Sequence, residues 1–507
     1  MSIFIKVYIN LHYFILEKKS NIKKNNISRG IAMSKYLSLN LNEIIDRIQD
    51  LMHKHNLHEL IINDFIEKVK KVYHGETGLI DFRYVSELYK DDIIDLEKLP
   101  FQLDYHSKIT KEIAQKIVII KLNGGLGTSM GLDKAKTLLT VKDGMTFLDI
   151  ILKQIQYLRN QTHVDVPLIF MNSFNTTYDT MNYPGIRDIN EKNKIPVEFI
   201  QNKVPRISQE TLLPIGDGSE AKHWCPPGHG DIFLSLKISG ILNQLIDQGI
   251  EYAFISNGDN LGAIFEPSIL AYMIENQLEF ISEVTLKTPA DIKGGILFRH
   301  KITSRIELLE TAQVPPENKS DFEDTTKFKD FNINNLWVNL KSLNTLLETE
   351  SLNLPLIVNP KVVDGVPVFQ LESAMGAAIG KFKKTKVIRV PRTRFAPVKK
   401  CNDLIVRRSD AYILNEKFAL IPNPKLKEEP VVKLSKEYDL ISDFEKYFVK
   451  IPSLLECSEL TLQGKFIFDV PVKITENLSL KNDSPEPMLI SKVIENHNFK
   501  NIINLQK

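Results

Sequence analysis

Four short segments that consist almost entirely of apolar residues constrain the fold of this chain more than any other feature. They are KIVII at 116–120, PLIFM at 167–171, VEFIQ at 197–201 and YAFIS at 252–256. Strands of this composition are buried on both faces of a sheet. Segments with helical spacing lie between them, one after Thr146 and one that begins with Asp231 as its N-cap. This alternation predicts an α/β fold with a mostly parallel sheet.

The first apolar segment is followed by a glycine-rich sequence, KLNGGLGTSMG at 121–131. Glycine lets a backbone approach a ligand closely, and loops of this kind often surround phosphate. The dinucleotide fingerprint G-x-G-x-x-G does not fit, because Met130 stands where the third glycine belongs. The Walker A loop does not fit either, because Leu132 rather than lysine follows Gly131. By itself the sequence is consistent with a phosphate-binding loop or with a tight turn that binds nothing.

Polar residues also follow the other three apolar segments. They are NSFNT at 172–176, QNKVPR at 201–206 and NGDN at 257–260. Open α/β sheets bind their ligands beyond the carboxyl ends of the strands. Taken singly, an asparagine there is most often a turn residue, and Asp259 is as consistent with a cap as with a metal ligand. Because glycines, amides and one acid recur at four successive strand ends, we expect a site for a nucleotide and a metal ion.

The segment WCPPGHGDIF at 224–233 is the most unusual in the chain. Two prolines restrict its backbone, while Gly228 and Gly230, on either side of His229, let it approach a ligand. A single histidine is as often structural as functional. The flanking glycines and the predicted helix that follows favour contact between this segment and a polar or anionic group.

Composition narrows the range of functions. Lys and Arg number 65 against 63 Asp and Glu, a net charge of +2, which provides no basic surface for nucleic acid. We therefore expect a small-molecule substrate. The three cysteines are far apart, which indicates neither a disulfide framework nor a zinc site and favours a reducing, cytoplasmic location. The apolar N-terminal stretch is too short and too interrupted by polar residues to predict a membrane span.

The chain divides into four predicted regions, which are 1–32, 33–115, 116–410 and 411–507. The first precedes a second methionine and is predicted to be a disordered extension or a misannotated start, with a membrane-surface anchor as a weaker alternative. The second is predicted to be mostly helical, because Asn40 and Glu43 have capping-box spacing and apolar residues then repeat at helical intervals. The third holds the alternating strands and helices. The fourth has short apolar runs with few helical stretches, which predicts a small all-β domain.

Nine motifs, in order along the chain, resemble those of one family. They are KLNGGLGTSMG, TFLDI, PLIFMNSFNT, CPPGHGDIFLSL, SNGDNLGA, DIKGGIL, FNINNLWVNL, QLESAMGAAI and VPRTRFAPVK. Together they are similar to the eukaryotic-type UTP–glucose-1-phosphate uridylyltransferases, also called UDP-glucose pyrophosphorylases. The resemblance implies a nucleotide-diphosphosugar transferase domain with a mostly parallel sheet. It also implies a helical N-terminal region and a small C-terminal left-handed β-helix.

The resemblance further implies roles for individual residues. Those implied to bind the nucleotide are Leu122, Asn123, Gly124, Gly125, Lys136, Gln201, Gly228, Asp259 and Lys399. Those implied to bind the sugar phosphate are His229, Asn257, Gly258, Gly294, Asn335 and Glu372. Gln201 and Gly228 match positions that recognise uracil. Lys136 and Lys399 match catalytic lysines that meet the reacting phosphates. Asp259 matches the acid associated with Mg²⁺, the implied cofactor.

The implied reaction joins UTP and glucose 1-phosphate to give UDP-glucose and pyrophosphate, reversibly, by in-line attack on the UTP α-phosphate. Neither nucleic acid nor a membrane is an expected partner. The sequence does not determine the oligomeric state, and a homo-oligomer through the C-terminal domain stays open. Two other interpretations stay open. One is a pyrophosphorylase for a different UDP-sugar, and the other is a catalytically silent binding protein of the same fold. The presence of Lys136, Asp259 and Lys399 argues against the silent protein.

Overall fold

The computed structural model describes residues 40–288, 291, 294–349, 352–496 and 500–505. The predicted extension at 1–32 lies outside the described residues. The helices are α1 Leu41–Lys54, α2 Glu59–Tyr73, α3 Lys108–Ala114, α4 Phe147–Thr162, α5 Thr177–Met181, α6 Ile232–Ile238, α7 Ile241–Asp247, α8 Pro267–Glu275, α9 Lys319–Glu323, α10 Leu340–Thr349, α11 Cys401–Arg408, α12 Ile441–Tyr447 and α13 Ile490–Asn496.

The strands are numbered separately, again in chain order. They are β1 Val85–Ser86, β2 Ile93–Asp95, β3 Ile117–Asn123, β4 Thr140–Lys142, β5 Met145–Thr146, β6 Leu168–Asn172, β7 Glu198–Ile200, β8 Val204–Pro205, β9 Ile207–Ser208, β10 Trp224–Cys225, β11 Tyr252–Asn257, β12 Phe280–Leu286, β13 Ile296–His300, β14 Ile306–Leu309, β15 Asp330–Asn339, β16 Ile357–Val363, β17 Val366–Glu372, β18 Thr385–Arg389, β19 Tyr412–Leu414, β20 Leu420–Pro422, β21 Val431–Leu434, β22 Ser453–Gln463, β23 Phe466–Ile467, β24 Val472–Lys481, β25 Met488–Leu489 and β26 Ile502–Asn504.

In the described part of the chain, the largest sheet has eight strands in the order β2-β18-β12-β15-β11-β3-β6-β7. Strand β15 runs antiparallel to both of its neighbours, β12 and β11. All the other pairs in this sheet are parallel. The predicted α/β fold with a mostly parallel sheet is therefore confirmed.

The four apolar segments form β3, β6, β7 and β11, which are adjacent in the order β11-β3-β6-β7. Strands β3, β6 and β11 are buried almost throughout, as predicted. The prediction of burial on both faces is wrong for β7, where Phe199 is buried but Ile200 is 41% exposed. Because β7 lies at the edge of the sheet, one of its faces reaches solvent.

The central sheet lies between two apolar cores. Successive side chains of a strand point to opposite faces, so Ile117 and Ile119 of β3 join one core and Val118 and Ile120 join the other. The first core includes apolar residues of α4 and α8. The second includes those of α6, α7 and α10. The alternation of strands and helices along the sequence thus places helices on both faces of the sheet.

Two of the three predicted helix starts are confirmed. Asn40 forms a capping box with Glu43 at the start of α1, and Thr146 caps α4. The prediction that Asp231 caps α6 is wrong. An N-cap residue normally has an extended backbone, whereas Asp231 is helical, with φ −62° and ψ −16°. Its buried carboxylate instead accepts hydrogen bonds from the Asn202 backbone N–H at 2.7 Å and the Ser235 hydroxyl at 2.6 Å.

The region before the glycine-rich loop is less helical than predicted. Helices α1 and α2 pack together through an apolar core, and α3 follows at 108–114. Between α2 and α3, however, the chain forms β1 and β2, and β2 pairs with β18 at the edge of the central sheet. The backbone of β2 finds its partners on β18, far along the chain, which local periodicity does not predict.

The C-terminal part is built mainly from strands. Strands β21, β22 and β24 pair in parallel, and β26 adds to β24 in the antiparallel direction. Two short helices, α12 and α13, also lie in this part, so it is not purely β as predicted. In the described residues all three cysteines are free and buried. No helix in the described ranges has both the length and the apolar character needed to cross a bilayer.

Candidate active site

The four polar loops meet at one edge of the sheet. In the parallel register, Asn257 of β11 lies beside Leu122 of β3, and Asn123 lies beside Asn172 of β6. The loops after these strands surround a cleft of about 390 Å³. Its lining residues are Leu122, Asn123, Gly124, Gly125, Gly127, Lys136, Thr137, Met171, Gln201, Pro226, Gly228, His229, Asn257 and Asp259. Most of the predicted site residues therefore converge on one cleft.

Two adjacent glycines of the glycine-rich loop differ in their surroundings. A Cβ added to Gly124 would lie 2.8 Å from Oε1 of Gln201, so a larger residue would displace that side chain. A Cβ added to Gly125 would have no protein atom within 4 Å. The space beside Gly125 belongs to the cleft. The loop is also tied to the next strand end, because the Ser173 hydroxyl donates to the carbonyl oxygen of Gly124 at 2.9 Å.

Asn123 holds the loops together through its side chain. Its Nδ2 donates to Oδ1 of Asn172 and to the hydroxyl of Thr180, each at 2.8 Å. Its Oδ1 accepts from the hydroxyl of Thr137 at 2.6 Å. Both N–H groups of the amide are thus bonded within the protein. The side chain of Asn123 thus has no N–H left to donate to a ligand.

Gln201 is oriented by the loop opposite. Its Nε2 donates to the carbonyl oxygen of Gly228 at 2.9 Å, which fixes the orientation of the amide. Its backbone N–H donates to the carbonyl oxygen of Asn172 at 2.7 Å. Within the described residues, the second side-chain N–H and the oxygen of Gln201 make no hydrogen bond, so they can bond a ligand that offers both an acceptor and a donor.

The segment 226–230 is packed tightly against the end of β17. Gly228 has φ +84°, and a Cβ there would lie 2.4 Å from the carbonyl oxygen of Ser373. Ser373 donates its backbone N–H to Pro227 at 3.0 Å and accepts from the N–H of Gly230 at 2.8 Å. Glu372 lies directly behind this contact, where burial raises the pKa of its carboxyl. Only a glycine fits at 228, and the loop has little freedom to move.

His229 lines the cleft as a neutral imidazole. Its Nδ1 accepts a hydrogen bond from the backbone N–H of Met375 at 3.1 Å. Burial lowers the pKa of His229 to about 4, because the charged form is poorly solvated there. Since Nδ1 is the acceptor, Nε2 carries the proton. His229 can therefore donate a hydrogen bond from Nε2 at neutral pH.

Lys136 and Asp259 form an ion pair within the cleft. Lys136 Nζ and Asp259 Oδ2 are 2.6 Å apart, with side chains 16% and 19% exposed. Among the described residues no group of three or more His, Cys, Asp or Glu side chains is placed to hold a metal. Mg²⁺ is often held by one or two carboxylates together with phosphate oxygens and water. Asp259 fits that arrangement if the substrate supplies the phosphates, and it does not form a complete metal site by itself.

The remaining predicted residues do not line the cleft. They are Gly258, Gly294, Asn335, Glu372 and Lys399. Gly258 lies underneath it and donates its N–H to the carbonyl oxygen of Leu122 at 2.8 Å. Asn335 is fully buried and donates to Glu283 at 3.0 Å. Gly294 packs against the ring of Phe331.

Lys399 lies at the surface of the protein near the glycine-rich loop. Its backbone N–H donates to Oδ2 of Asp403 at 2.7 Å, at the start of α11. Its carbonyl oxygen accepts from the hydroxyl of Ser129 at 3.5 Å. The main chain of Lys399 thus contacts the loop that borders the cleft, while its side chain is exposed.

Several lining residues were not predicted. They are Gly127, Thr137, Met171 and Pro226. Gly127, Thr137 and Pro226 each lie within two residues of a predicted site residue, and Met171 ends the apolar segment 167–171. Asp231 and Lys121 differ from these four residues, because they do not line the cleft and instead hydrogen-bond to segments next to it. Lys121 is buried, donates to Ser256 and to the carbonyl oxygen of Ala263 at 2.8 Å each, and has its pKa lowered to about 7 by burial. No local sequence signal distinguishes such a lysine from a phosphate ligand.

Together, these features define a class of protein. An open α/β sheet carries a glycine-rich loop, an oriented amide, a neutral histidine and a Lys–Asp pair at its carboxyl edge, which suits a protein that binds a nucleotide and a second anion. Residues 62–475 match the family model described as UTP–glucose-1-phosphate uridylyltransferase. The chain belongs to this family, and the family predicted from the motifs is confirmed.

Individual relatives agree with the family match. A UTP–glucose-1-phosphate uridylyltransferase from Hordeum vulgare is 41% identical over 445 residues, which cover 86% of this chain and 92% of the relative. One from Encephalitozoon cuniculi is 41% identical over 429 residues, which cover 80% and 84%. The solved structure of a mutant UDP-glucose pyrophosphorylase from Leishmania major in complex with UDP-Glc has a TM-score of 0.82 and 38% identity, and covers 89% of this chain and 97% of that one.

Proposed function

We propose that this protein is an enzyme, a UTP–glucose-1-phosphate uridylyltransferase that forms UDP-glucose and pyrophosphate from UTP and glucose 1-phosphate. The observation that carries the proposal is the cleft at the carboxyl edge of the sheet, where most residues implied for the two substrates converge on a chain of this family. The reaction is reversible, because one phosphoanhydride bond replaces another.

The chemistry needs no nucleophile from the protein. A phosphate oxygen of glucose 1-phosphate forms a bond to the α-phosphorus of UTP in line with the bond that breaks, and pyrophosphate leaves with that electron pair. The protein has to hold two anions in this geometry and offset their charge. Lys136, inside the cleft, is suited to that task, and so are backbone N–H groups of the glycine-rich loop. We propose the same role for Lys399, which the structure leaves exposed next to the loop.

The polar groups of the cleft suggest how each substrate is recognised. The free N–H and oxygen of the Gln201 amide complement the uracil edge, which offers both an acceptor and a donor. The Nε2–H of His229 is available to an oxygen of the sugar phosphate. We propose that Asn257 and Gly258 act on the sugar side as well, with Gly294, Asn335 and Glu372 supporting that side from behind.

We propose Mg²⁺ as the cofactor and Asp259 as the residue that holds it. The ion would offset negative charge on the phosphates of UTP, whose oxygens would complete its ligands. Removal of divalent ions with EDTA should then abolish activity, and added Mg²⁺ should restore it. Asp259→Asn should require a higher Mg²⁺ concentration for half-maximal activity. Full activity in EDTA would contradict the proposal.

We also propose the architecture of the two terminal regions, the cellular setting and the oligomeric state. The parallel pairing of β21, β22 and β24 supports a C-terminal left-handed β-helix over 411–507. Helices α1 and α2 support a helical segment at the start of the N-terminal region, over residues 41–73. Family membership supports carbohydrate metabolism in the cytoplasm as the setting, and a homo-oligomer through the C-terminal domain. Light scattering of the purified protein measures the oligomeric state directly.

A pyrophosphate-release assay tests the proposed function. The purified chain is mixed with UTP and each member of a panel of sugar 1-phosphates, and the UTP is then replaced by other nucleoside triphosphates. We expect fastest release with UTP and glucose 1-phosphate. Faster release with another sugar phosphate would favour a pyrophosphorylase for a different UDP-sugar. No release with any pair, despite binding of UDP-glucose, would identify a silent binding protein and overturn the proposal.

A further inference from the structure

We infer that Asn260 is a positioning residue that fixes the loop carrying Asp259 against the segment that leads to Lys399. The inference rests on the proposed function, in which Asp259 and Lys399 serve the same reaction. Asn260 itself lies outside the lining of the cleft and is 1% exposed. Its effect on the reaction would therefore pass through the residues that it holds.

The side-chain amide of Asn260 bonds to a distant part of the chain. Its Oδ1 accepts from the backbone N–H of Ala396 at 2.9 Å, and its Nδ2 donates to the carbonyl oxygen of Arg394 at 3.1 Å. The second N–H of the amide is directed to Oδ1 of Asn335 at 3.4 Å. A buried amide with its donors and acceptor bonded in this way is held in one orientation.

The segment 394–396, to which Asn260 is hydrogen-bonded, is itself fixed to the sheet. The guanidinium of Arg394 donates to Glu283 at 2.6 and 2.9 Å, and both side chains are buried. Glu283 on β12 also accepts from Asn335 at 3.0 Å and from the indole of Trp337 at 2.9 Å, both on β15. Through Arg394 and Asn335, Asn260 is connected to the interior of the central sheet.

The two segments also approach each other closely at the backbone. A Cβ added to Gly262 would lie 2.6 Å from the carbonyl oxygen of Thr393. Asp259 directly precedes Asn260, and Lys399 follows Ala396 by three residues in the chain. A change in the hydrogen bonds of Asn260 would thus shift both segments relative to each other. A displacement of about 1 Å in groups that position reacting atoms can lower a rate by roughly 100-fold.

Asn190 provides a matched control at the opposite edge of the sheet. It is a buried asparagine, 3% exposed, whose Oδ1 accepts from the N–H of Leu168 at 3.1 Å and from Arg159 at 3.2 Å. Its Nδ2 donates to the carbonyl oxygen of Leu168 at 2.7 Å. Leu168 begins β6, so these bonds lie at the amino ends of the strands. Loss of the Asn190 amide removes a similar set of buried bonds without touching the site.

The test compares Asn260→Ala with Asn190→Ala in the full chain. Melting temperature, kcat, KM for both substrates and binding of UDP-glucose by calorimetry are measured for each. We expect similar losses of melting temperature. For Asn260→Ala we expect kcat to fall by roughly 10- to 100-fold with KM values and UDP-glucose affinity within about threefold of the parent. For Asn190→Ala we expect the parent kcat.

Three results would overturn the inference. The first is a kcat for Asn260→Ala equal to that of Asn190→Ala. The second is a loss of activity that matches the fraction of unfolded protein measured by circular dichroism. The third is a change in KM with kcat unchanged. If Asn260→Ala does not fold, Asn260→Ser, which is uncharged and keeps a polar group, is measured instead with the same expectations. The parent protein is assayed first. Absence of pyrophosphate release there would contradict the proposed function, which separates that failure from failure of the inference.

Discussion

Gly124 and Gly125 are neighbours in the glycine-rich loop, yet different parts of the site account for them. A side chain at Gly124 would displace the amide of Gln201, whose Oε1 would lie 2.8 Å from the added Cβ. Gly125 has an open space beside it, where a Cβ would have no protein atom within 4 Å. Gly125 lines the cleft, so a side chain there would enter the space proposed for the nucleotide. Replacing Gly125 with alanine adds a single methyl group, and this change can separate an effect on the fold from an effect on ligand binding.

Gly125→Ala should leave the melting temperature unchanged or slightly higher, because alanine restricts the unfolded chain and meets no protein atom. It should raise KM for UTP by roughly tenfold or more, since one misplaced methyl group costs about 1–3 kcal/mol of binding. Gly249→Ala gives the opposite pattern, because Gly249 has φ +81° in a turn before β11. It should lower stability by about 1 kcal/mol and leave KM unchanged. An unchanged KM in Gly125→Ala would contradict nucleotide binding at this loop.

Lys399→Ala tests the second catalytic lysine. If its ammonium offsets the charge that develops as the two phosphates converge, kcat should fall by roughly 10²- to 10³-fold, with little change in melting temperature. Lys400→Ala is a close control, because both lysines are exposed and both donate their backbone N–H to Oδ2 of Asp403, at 2.7 and 2.9 Å. We expect it to be nearly silent. Equal losses in the two variants, or a near-normal kcat for Lys399→Ala, would remove Lys399 from the reaction.

The loop at 226–230 and the end of β17 form one structural unit. Backbone hydrogen bonds join Pro227 and Gly230 to Ser373, and the imidazole of His229 accepts from the backbone of Met375. This last bond requires a neutral Nδ1, because a protonated imidazole has no acceptor. Protonation of His229 would therefore break one of the contacts that hold the loop in place.

The stability of the protein should depend on pH through this loop. The pKa of His229 is lowered from 6.5 to about 4 by burial. Between these values the unfolded chain binds the proton and the folded protein does not, so the free energy of unfolding falls as the pH drops through this range. The contribution amounts to about 2 kcal/mol lost at pH 5 relative to pH 7.5.

His229→Asn keeps an acceptor near the Met375 N–H and removes the titration. Urea unfolding of both proteins at pH 7.5 and pH 5 measures the effect. The parent protein should lose about 2 kcal/mol more than His229→Asn over this interval. The same pH dependence in both proteins would show that His229 is not held neutral by the fold.

Taken across the entire protein, the sequence predicted the position of the site better than the contacts within it. The apolar segments at 116–120, 167–171 and 252–256 each form a buried strand. Because parallel strands share one carboxyl edge, the loops after them had to meet there. This topological argument needs no knowledge of side-chain packing, and the glycine-rich loop and Asp259 do line one cleft.

The parts that sequence could not predict depend on residues far apart in the chain. Asp231 is helical and bonds to Asn202 instead of capping α6, because burial places it beside that backbone. Strand β2 joins the sheet through β18, almost 300 residues later, and local periodicity carries no information about that pairing. The burial of Asn335 likewise follows from its bond to Glu283, on another strand. Long-range packing decides each of these outcomes.

Nucleotide selectivity of Gln201→Ala tests the central claim, that this cleft recognises the uracil base of UTP and transfers the uridylyl group. The measurement is kcat/KM for UTP relative to CTP and ATP, in the parent protein and in the variant. Loss of the amide should raise KM for UTP and reduce the preference for UTP by roughly 10- to 100-fold, because the uracil edge loses a partner for its acceptor and its donor. The melting temperature should change little, since Gln201 contributes one side-chain hydrogen bond, to Gly228. An unchanged preference for UTP in Gln201→Ala would contradict the assignment of this cleft as the uridine site.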